Sequence, residues 1–182
     1  ISSGNMELQA LNFNLDDVIK RAINVHSLRA HAKNIELVPF INTDVCNALI
    51  GDSLRLQQIL SNLLSNAVKF TEKGLISVTV KQLQCDDSVK LQFSVSDPGM
   101  GIAPEQLITL LDHEHSSTDA NLGLTICEHL CRLMEGEIWC ESQLGKGSHF
   151  HFTVKLKPQK TKVCDRLYQP LSHLKVLVVD DI

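Results

Sequence analysis

Apolar and polar residues along this chain follow two periods, and the change from one to the other marks where elements begin and end. Across 52–70, Leu56, Ile59, Leu60, Leu63, Leu64 and Ala67 recur every three to four residues and predict one side of a helix. With residues advancing about 100° each, Arg55, Gln58, Asn62, Asn66 and Lys69 gather on a neighbouring polar stripe that contains no acid. Strict alternation in 76–80 and 89–95, joined by the polar stretch 84–88, predicts an antiparallel strand pair. Upstream, Asn14 offers an N-cap for a helix whose apolar face runs through Val18, Ile19, Ala22, Ile23, Val25 and Leu28. The run 36–41 contains Pro39 and suits an edge or irregular strand, and 47–50 is a second short strand closed by Gly51 and Asp52. Pro104 opens a short helix to about Leu111, a second helix spans about 120–134, and 137–141 with 148–156 form a hairpin turning at 144–147. Polar, Pro-bounded 157–172 is a linker by composition, and 174–181 is a buried-type strand ending in Asp180 and Asp181.

A chain of 182 residues with 43% hydrophobic and 21% charged positions suits one well-cored domain plus some tail. A net charge of -4 argues against a nucleic-acid partner held by a broad basic surface. No apolar run reaches the roughly 18–20 residues of a membrane span, so no membrane contact by this segment is expected. Six cysteines without a CxxC spacing fit a reduced, cytoplasmic setting. The opening residues read as the end of a preceding segment of a longer protein.

Three constellations could carry chemistry. Asn62, Asn66 and Lys69, at i, i+4 and i+7, share one helical face, where amide oxygens and an ammonium could meet a hard cation and polyphosphate together. The ordinary alternative is a solvated helix face. Asp97-Pro98-Gly99-Met100-Gly101-Ile102 follows a strand, so its carboxylate could accept from an exocyclic amine while the glycines admit a flat ligand. A tight Asx-type turn would use the same residues. Leu122, Gly123 and Leu124 open a helix that could face an anion, or could simply belong to a core face with Ile126, Leu130 and Leu133. Three weaker candidates have bland readings: His113 with His115 as a metal pair, Cys127 with Cys131 on one helix face, and the terminal Asp180–Asp181 pair.

In order and spacing, these stretches resemble the ATP-binding domain of histidine kinases. The run 56–71 resembles the N box, 97–102 the first glycine box, 122–124 the end of the second, and 135–138 with 145–150 the closing hairpin. The resemblance covers roughly 5–157, and 174–181 resembles the first strand of a receiver domain. It implies a hybrid sensor kinase with an end of a dimerisation helix and linker at 1–12, a catalytic domain at 13–157, a linker at 158–173 and a truncated receiver at 174–182. The implied fold is a two-layer α/β sandwich, a mixed sheet of about five strands with three main helices on one face. The implied cofactors are ATP and Mg2+. Asn66 would be the magnesium ligand with Asn62 beside it, Lys69 would reach the phosphates, and Asp97 would read the adenine amine. Gly99 and Gly101 would give the base room, and Leu122, Gly123 and Leu124 would start the helix beneath the phosphates. The γ-phosphoryl would pass to a histidine on a separate dimerisation domain of a dimeric, membrane-anchored parent.

The sequence also departs from the family pattern. Where the second glycine box normally reads GTGLGL, this chain has Asp119-Ala120-Asn121-Leu122-Gly123-Leu124, and the segment between Gly101 and Gly123 is short and acidic. None of the eight histidines stands in an acceptor motif. A degenerate kinase domain acting as a regulatory or interaction module is therefore the alternative. A related chaperone, gyrase or mismatch-repair ATPase is the third reading.

Overall fold

The computed structural model describes residues 7–110 and 119–159. Its elements in chain order are β1 Leu11–Asn14, α1 Leu15–Ala32, β2 Ile35–Ile41, β3 Ala48–Gly51, α2 Ser53–Phe70, β4 Gly74–Cys85, β5 Val89–Asp97, α3 Pro104–Leu110, α4 Asp119–Leu133, β6 Ile138–Gln143 and β7 Gly147–Pro158. The strands form one sheet in the order β1-β3-β7-β5-β4-β2, with β6 also paired to β7. β2 lies parallel to β4 and the other pairings are antiparallel, so the sheet is mixed as expected. It has seven strands rather than about five. β1 is the unforeseen one. It begins ahead of residue 13, and its four residues Leu-Asn-Phe-Asn are held by pairing with β3 rather than by any pattern of their own.

Alternation on β5 buries Val89, Leu91, Phe93 and Val95 beneath the helices, beside Ile76, Val78 and Val80 of β4 and Phe150, Phe152, Val154 and Leu156 of β7. Phe93 and Phe152 stack at 4.7 Å in this layer. The opposite face is polar: His151 Nδ1 lies 2.7 Å from Ser94 Oγ, and His149 Nδ1 lies 2.6 Å from Ser96 Oγ. Because the period is two, Asp97 ends β5 on the helical side, with Ser148 opposite it in register.

α2 forms as its pattern predicts and buries Leu56, Ile59, Leu60, Leu63, Leu64, Ala67 and Val68. Asp52 caps it, accepting from the Arg55 N–H at 3.0 Å through Oδ1 and from the Gln9 N–H at 3.0 Å through Oδ2. At the other end the Lys33 ammonium donates to the carbonyls of Val68, Lys69 and Thr71 at 2.7, 3.1 and 3.0 Å. α1 corrects two expectations. Asn14 stands at the N-cap position without a side-chain bond; Asn47 does the capping, its Oδ1 accepting from the Asp16 N–H at 2.9 Å. Val25 and Leu28 are 61% and 85% exposed, because the buried stripe runs instead through Ala22, His26 and Ala30. The alanines let α1 approach α2 closely, and His26 Nε2 meets Ser61 Oγ at 2.9 Å.

Candidate functional site

α2 carries the first constellation along one side. Asn62 and Asn66 are half-buried and Lys69 is exposed, its Nζ 5.2 Å from the Phe70 ring centroid. Asn62 Nδ2 donates to the Gly123 carbonyl at 3.4 Å and to Cys127 Sγ at 3.6 Å, so this residue ties α2 to α4. Arg55 Nη1 donates to Gln58 Oε1 at 2.9 Å, which takes two members of the polar stripe out of consideration.

The second constellation packs against the end of that helix. Asp97 is 8% exposed, and its Oδ1 accepts from the Gly99 N–H at 2.9 Å. Burial pushes the carboxyl above the ordinary range. The N–H of Gly99, the nearby His149, the N–H of Ser148 and the Thr71 hydroxyl oppose that shift. The glycines have a reason within the chain itself. A Cβ at Gly99 would lie 2.5 Å from the Phe70 carbonyl oxygen, and one at Gly101 would lie 2.1 Å from that of Gln143. Gly101 also has a φ of +70, in the left-handed region. Both positions are therefore demanded by the chain's own close approach, whatever else binds there.

Three further bonds hold this loop. Met100 N–H faces the Phe70 carbonyl at 3.4 Å, Gly145 N–H donates to the Met100 carbonyl at 2.7 Å, and Ile102 N–H donates to Ser142 Oγ at 2.8 Å. Ser142 in turn donates to the Gly147 carbonyl at 2.9 Å. The glycine turn is thus clamped between the end of α2 and the β6–β7 turn.

The third constellation divides. Gly123 faces Asn62, whose Cγ would be 4.0 Å from an added Cβ. Leu124 is 3% exposed and sits in the core with Cys127, Leu130, Cys131 and Met134, so its side chain serves packing. The side chain of Leu122 lies outside the described residues, as do His113, His115, Asp180 and Asp181. Cys127 and Cys131 are buried free thiols, and burial raises Cys127 to about 11, which makes it a poor nucleophile.

Four residues that sequence reasoning left without a role belong to this arrangement: Lys33, Thr71, Ser142 and Ser148. Thr71 is fully buried, and its Oγ1 has no hydrogen-bond partner among the described residues. Among the described residues no group of three His, Cys, Asp or Glu side chains could hold a metal ion. The donor set is neutral amides, one ammonium and one buried carboxylate. That set fits a base carrying an exocyclic donor together with a cation largely coordinated by phosphate oxygens.

The sequence pattern shared by histidine kinase-, DNA gyrase B- and HSP90-like ATPases matches residues 51–158. The chain belongs to this ATPase family. Sensor histidine kinase GacS of Pseudomonas protegens is 33% identical over 190 residues, spanning 100% of this chain and 21% of that protein. The signal transduction histidine-protein kinase BarA of Escherichia coli is 34% identical over 166 residues, covering 86% of this chain and 18% of BarA. This chain is therefore about a fifth of the length of such relatives. Among solved structures, full-length ShkA in complex with AMPPNP superposes with a TM-score of 0.74 at 30% identity, over 85% of this chain and 32% of ShkA. The nucleotide-free catalytic domain of histidine kinase ThkA gives 0.66 at 25% identity, over 85% of this chain and 100% of that domain. The fold is that of the family's histidine-kinase catalytic domains, a sandwich of a mixed sheet under helices.

Proposed function

We propose that this chain binds magnesium-ATP and serves as the catalytic domain of a hybrid sensor histidine kinase, delivering the γ-phosphoryl to a histidine on a separate dimerisation domain. The observation that carries the proposal is the buried Asp97 carboxylate beside the end of α2, whose adjoining polar face has no acid. A buried acceptor suits the amine of adenine. Asn66, with Asn62 beside it, would hold the cation, and Lys69 would meet the phosphates. Gly99 and Gly101 let the base-side loop pack tightly, and Leu122, Gly123 and Leu124, just inside the start of α4, would lie beneath the phosphates. Magnesium, when bound, supplies charge neutralisation for the triphosphate. Phosphoryl transfer needs positioning and charge compensation rather than a protein nucleophile, and these residue types provide that. ATP also fits the AMPPNP in the ShkA structure.

The proposed parent is dimeric and membrane-anchored, with this portion in the cytoplasm. The preceding dimerisation domain, with its phosphoacceptor histidine, and the following receiver domain would be the partners. The relatives' much greater length leaves room for such domains.

Calorimetric titration of ATP with and without magnesium tests the reading. Binding should require the metal, and Asn66→Ala and Asp97→Ala should each weaken it tenfold or more, about 1.4 kcal/mol or above. Unaltered affinity in both folded variants overturns it. Labelled ATP should leave no acid-labile phosphohistidine on this chain alone, because none of its eight histidines lies in an acceptor motif.

A further inference from the structure

We infer that Thr71 is a positioning residue that aims the Asp97 carboxylate at the exocyclic amine of the base, an inference that rests on the adenine-reading role proposed above for Asp97. Thr71 follows α2 directly and is 0% exposed. Its backbone is fixed on both sides: the N–H donates to the Ala67 carbonyl at 3.0 Å, and the carbonyl accepts from Lys33 Nζ at 3.0 Å. The preceding residue lies against the Asp97 loop, since the Phe70 carbonyl would be 2.5 Å from a Cβ at Gly99 and faces the Met100 N–H at 3.4 Å. Residues 70–71 therefore run alongside 97–100.

Within that junction the Thr71 hydroxyl is an anomaly. Its Oγ1 is the buried side-chain nitrogen or oxygen that lacks a hydrogen-bond partner among the described residues. Its neighbours Ala67 and Val68 are buried and apolar, so valine would fill the same volume without leaving a polar group unsatisfied. The hydroxyl faces the Asp97 carboxyl and favours its charged form, yet it falls short of a well-aligned hydrogen bond to it. Asp97 Oδ1 is already engaged by the Gly99 N–H, and the Ser148 N–H also acts on the carboxyl, so its orientation is set by donors around it. A hydroxyl whose hydrogen can rotate beside that carboxylate can donate to it once a base amine draws it into place. The carboxylate then gains the hydroxyl and the base amine as donors in addition to the Gly99 and Ser148 N–H groups.

The test compares ATP with purine riboside triphosphate, which lacks the exocyclic amine, by calorimetry on the whole 182-residue chain in magnesium. Wild type should prefer ATP. Thr71→Val should weaken ATP by about fivefold or more while leaving the analogue nearly unchanged, and Thr71→Ser should restore the ATP preference. If Thr71→Val does not fold, Thr71→Ala makes the same comparison without risk of a clash. Wild-type ATP affinity in the valine variant overturns the inference, and so does an equal loss for both nucleotides, which marks packing alone. Wild type binding the two nucleotides equally would remove Asp97's base-reading role itself, and this inference with it.

Discussion

Asp97 places a carboxyl where burial favours its neutral form. Burial raises its pKa above the ordinary carboxylate value, against the pull of Gly99, His149, Ser148 and Thr71. Between the ordinary and the raised value the folded state binds more protons than the unfolded state, so this group's contribution to stability declines as pH rises through that window. Above the window the ionised form is a net cost to folding. Asp97→Asn should therefore hold or raise the melting temperature at pH 7 while weakening ATP binding tenfold or more. A lower melting temperature with binding intact would reverse that assignment. His26 behaves oppositely. Burial, and then the charge of Arg29, lower its pKa below 6.5, with the Ser61 bond opposing them. Its stabilising neutral form is complete above about 6.5, and that stability is lost as pH falls through the folded pKa. His26→Gln, which can still bond Ser61, should flatten the fall in melting temperature between about pH 7 and 5. Some slope should remain from His151, which burial lowers in the same direction on the other face of the sheet. An unchanged slope in the glutamine variant would place the acid sensitivity elsewhere.

At the scale of elements, legibility followed length and period. α2 repeats its apolar positions over 18 residues, and its buried face and its polar Asn62–Asn66–Lys69 edge could both be read in advance. The β4–β5 pair and the β6–β7 hairpin carried the same kind of signal. β1 carried none, since four residues cannot establish a period and its partner β3 lies far along the chain. α1 was misjudged at Val25 and Leu28 because a histidine bonded to Ser61 takes a core position that apolar counting assigns to its neighbours. The site divides in the same way. Asp97 and the asparagines stand in recognisable local runs, whereas Lys33, Ser142, Thr71 and Ser148 act through contacts between distant segments. Lys33 shows what such a contact supports. Its ammonium satisfies three carbonyls at the negative end of α2, just where Phe70 meets the Asp97 loop. Lys33→Met keeps the apolar stem and removes the cap, and should cost about 1–2 kcal/mol. A denaturant series would show this as a lower midpoint with the slope unchanged. Wild-type stability in that variant would mean that water replaces the ammonium at no cost.

Over the whole molecule, the candidate site lies where four segments converge: the end of α2, the end of β5, the β6–β7 turn and the start of α4. The first three are bound to one another by backbone hydrogen bonds and close glycine contacts, which would make the proposed base side a rigid wall. The proposed phosphate side would depend on the stretch leading into α4. Residues 111–118 of that stretch lie outside the described structure, so its chemistry is read from the sequence. It contains Asp112, Glu114 and Asp119, and it lacks the two glycines that the family pattern places ahead of Gly123. A γ-phosphate there would gain few backbone donors and would meet carboxylates. At about 4–6 Å with an effective dielectric near 20, each such pair opposes binding by about 3–4 kcal/mol before screening. Salt removes part of that penalty. ATP and ADP should accordingly bind with similar, weak affinity in magnesium, and Asp119→Asn should improve ATP more than ADP. Raising ionic strength should act on the wild type in the same sense as that substitution. Calorimetry with both nucleotides at low and high salt decides the matter, and a tenfold or larger preference of the wild type for ATP would show that the acidic segment does not stand against the triphosphate.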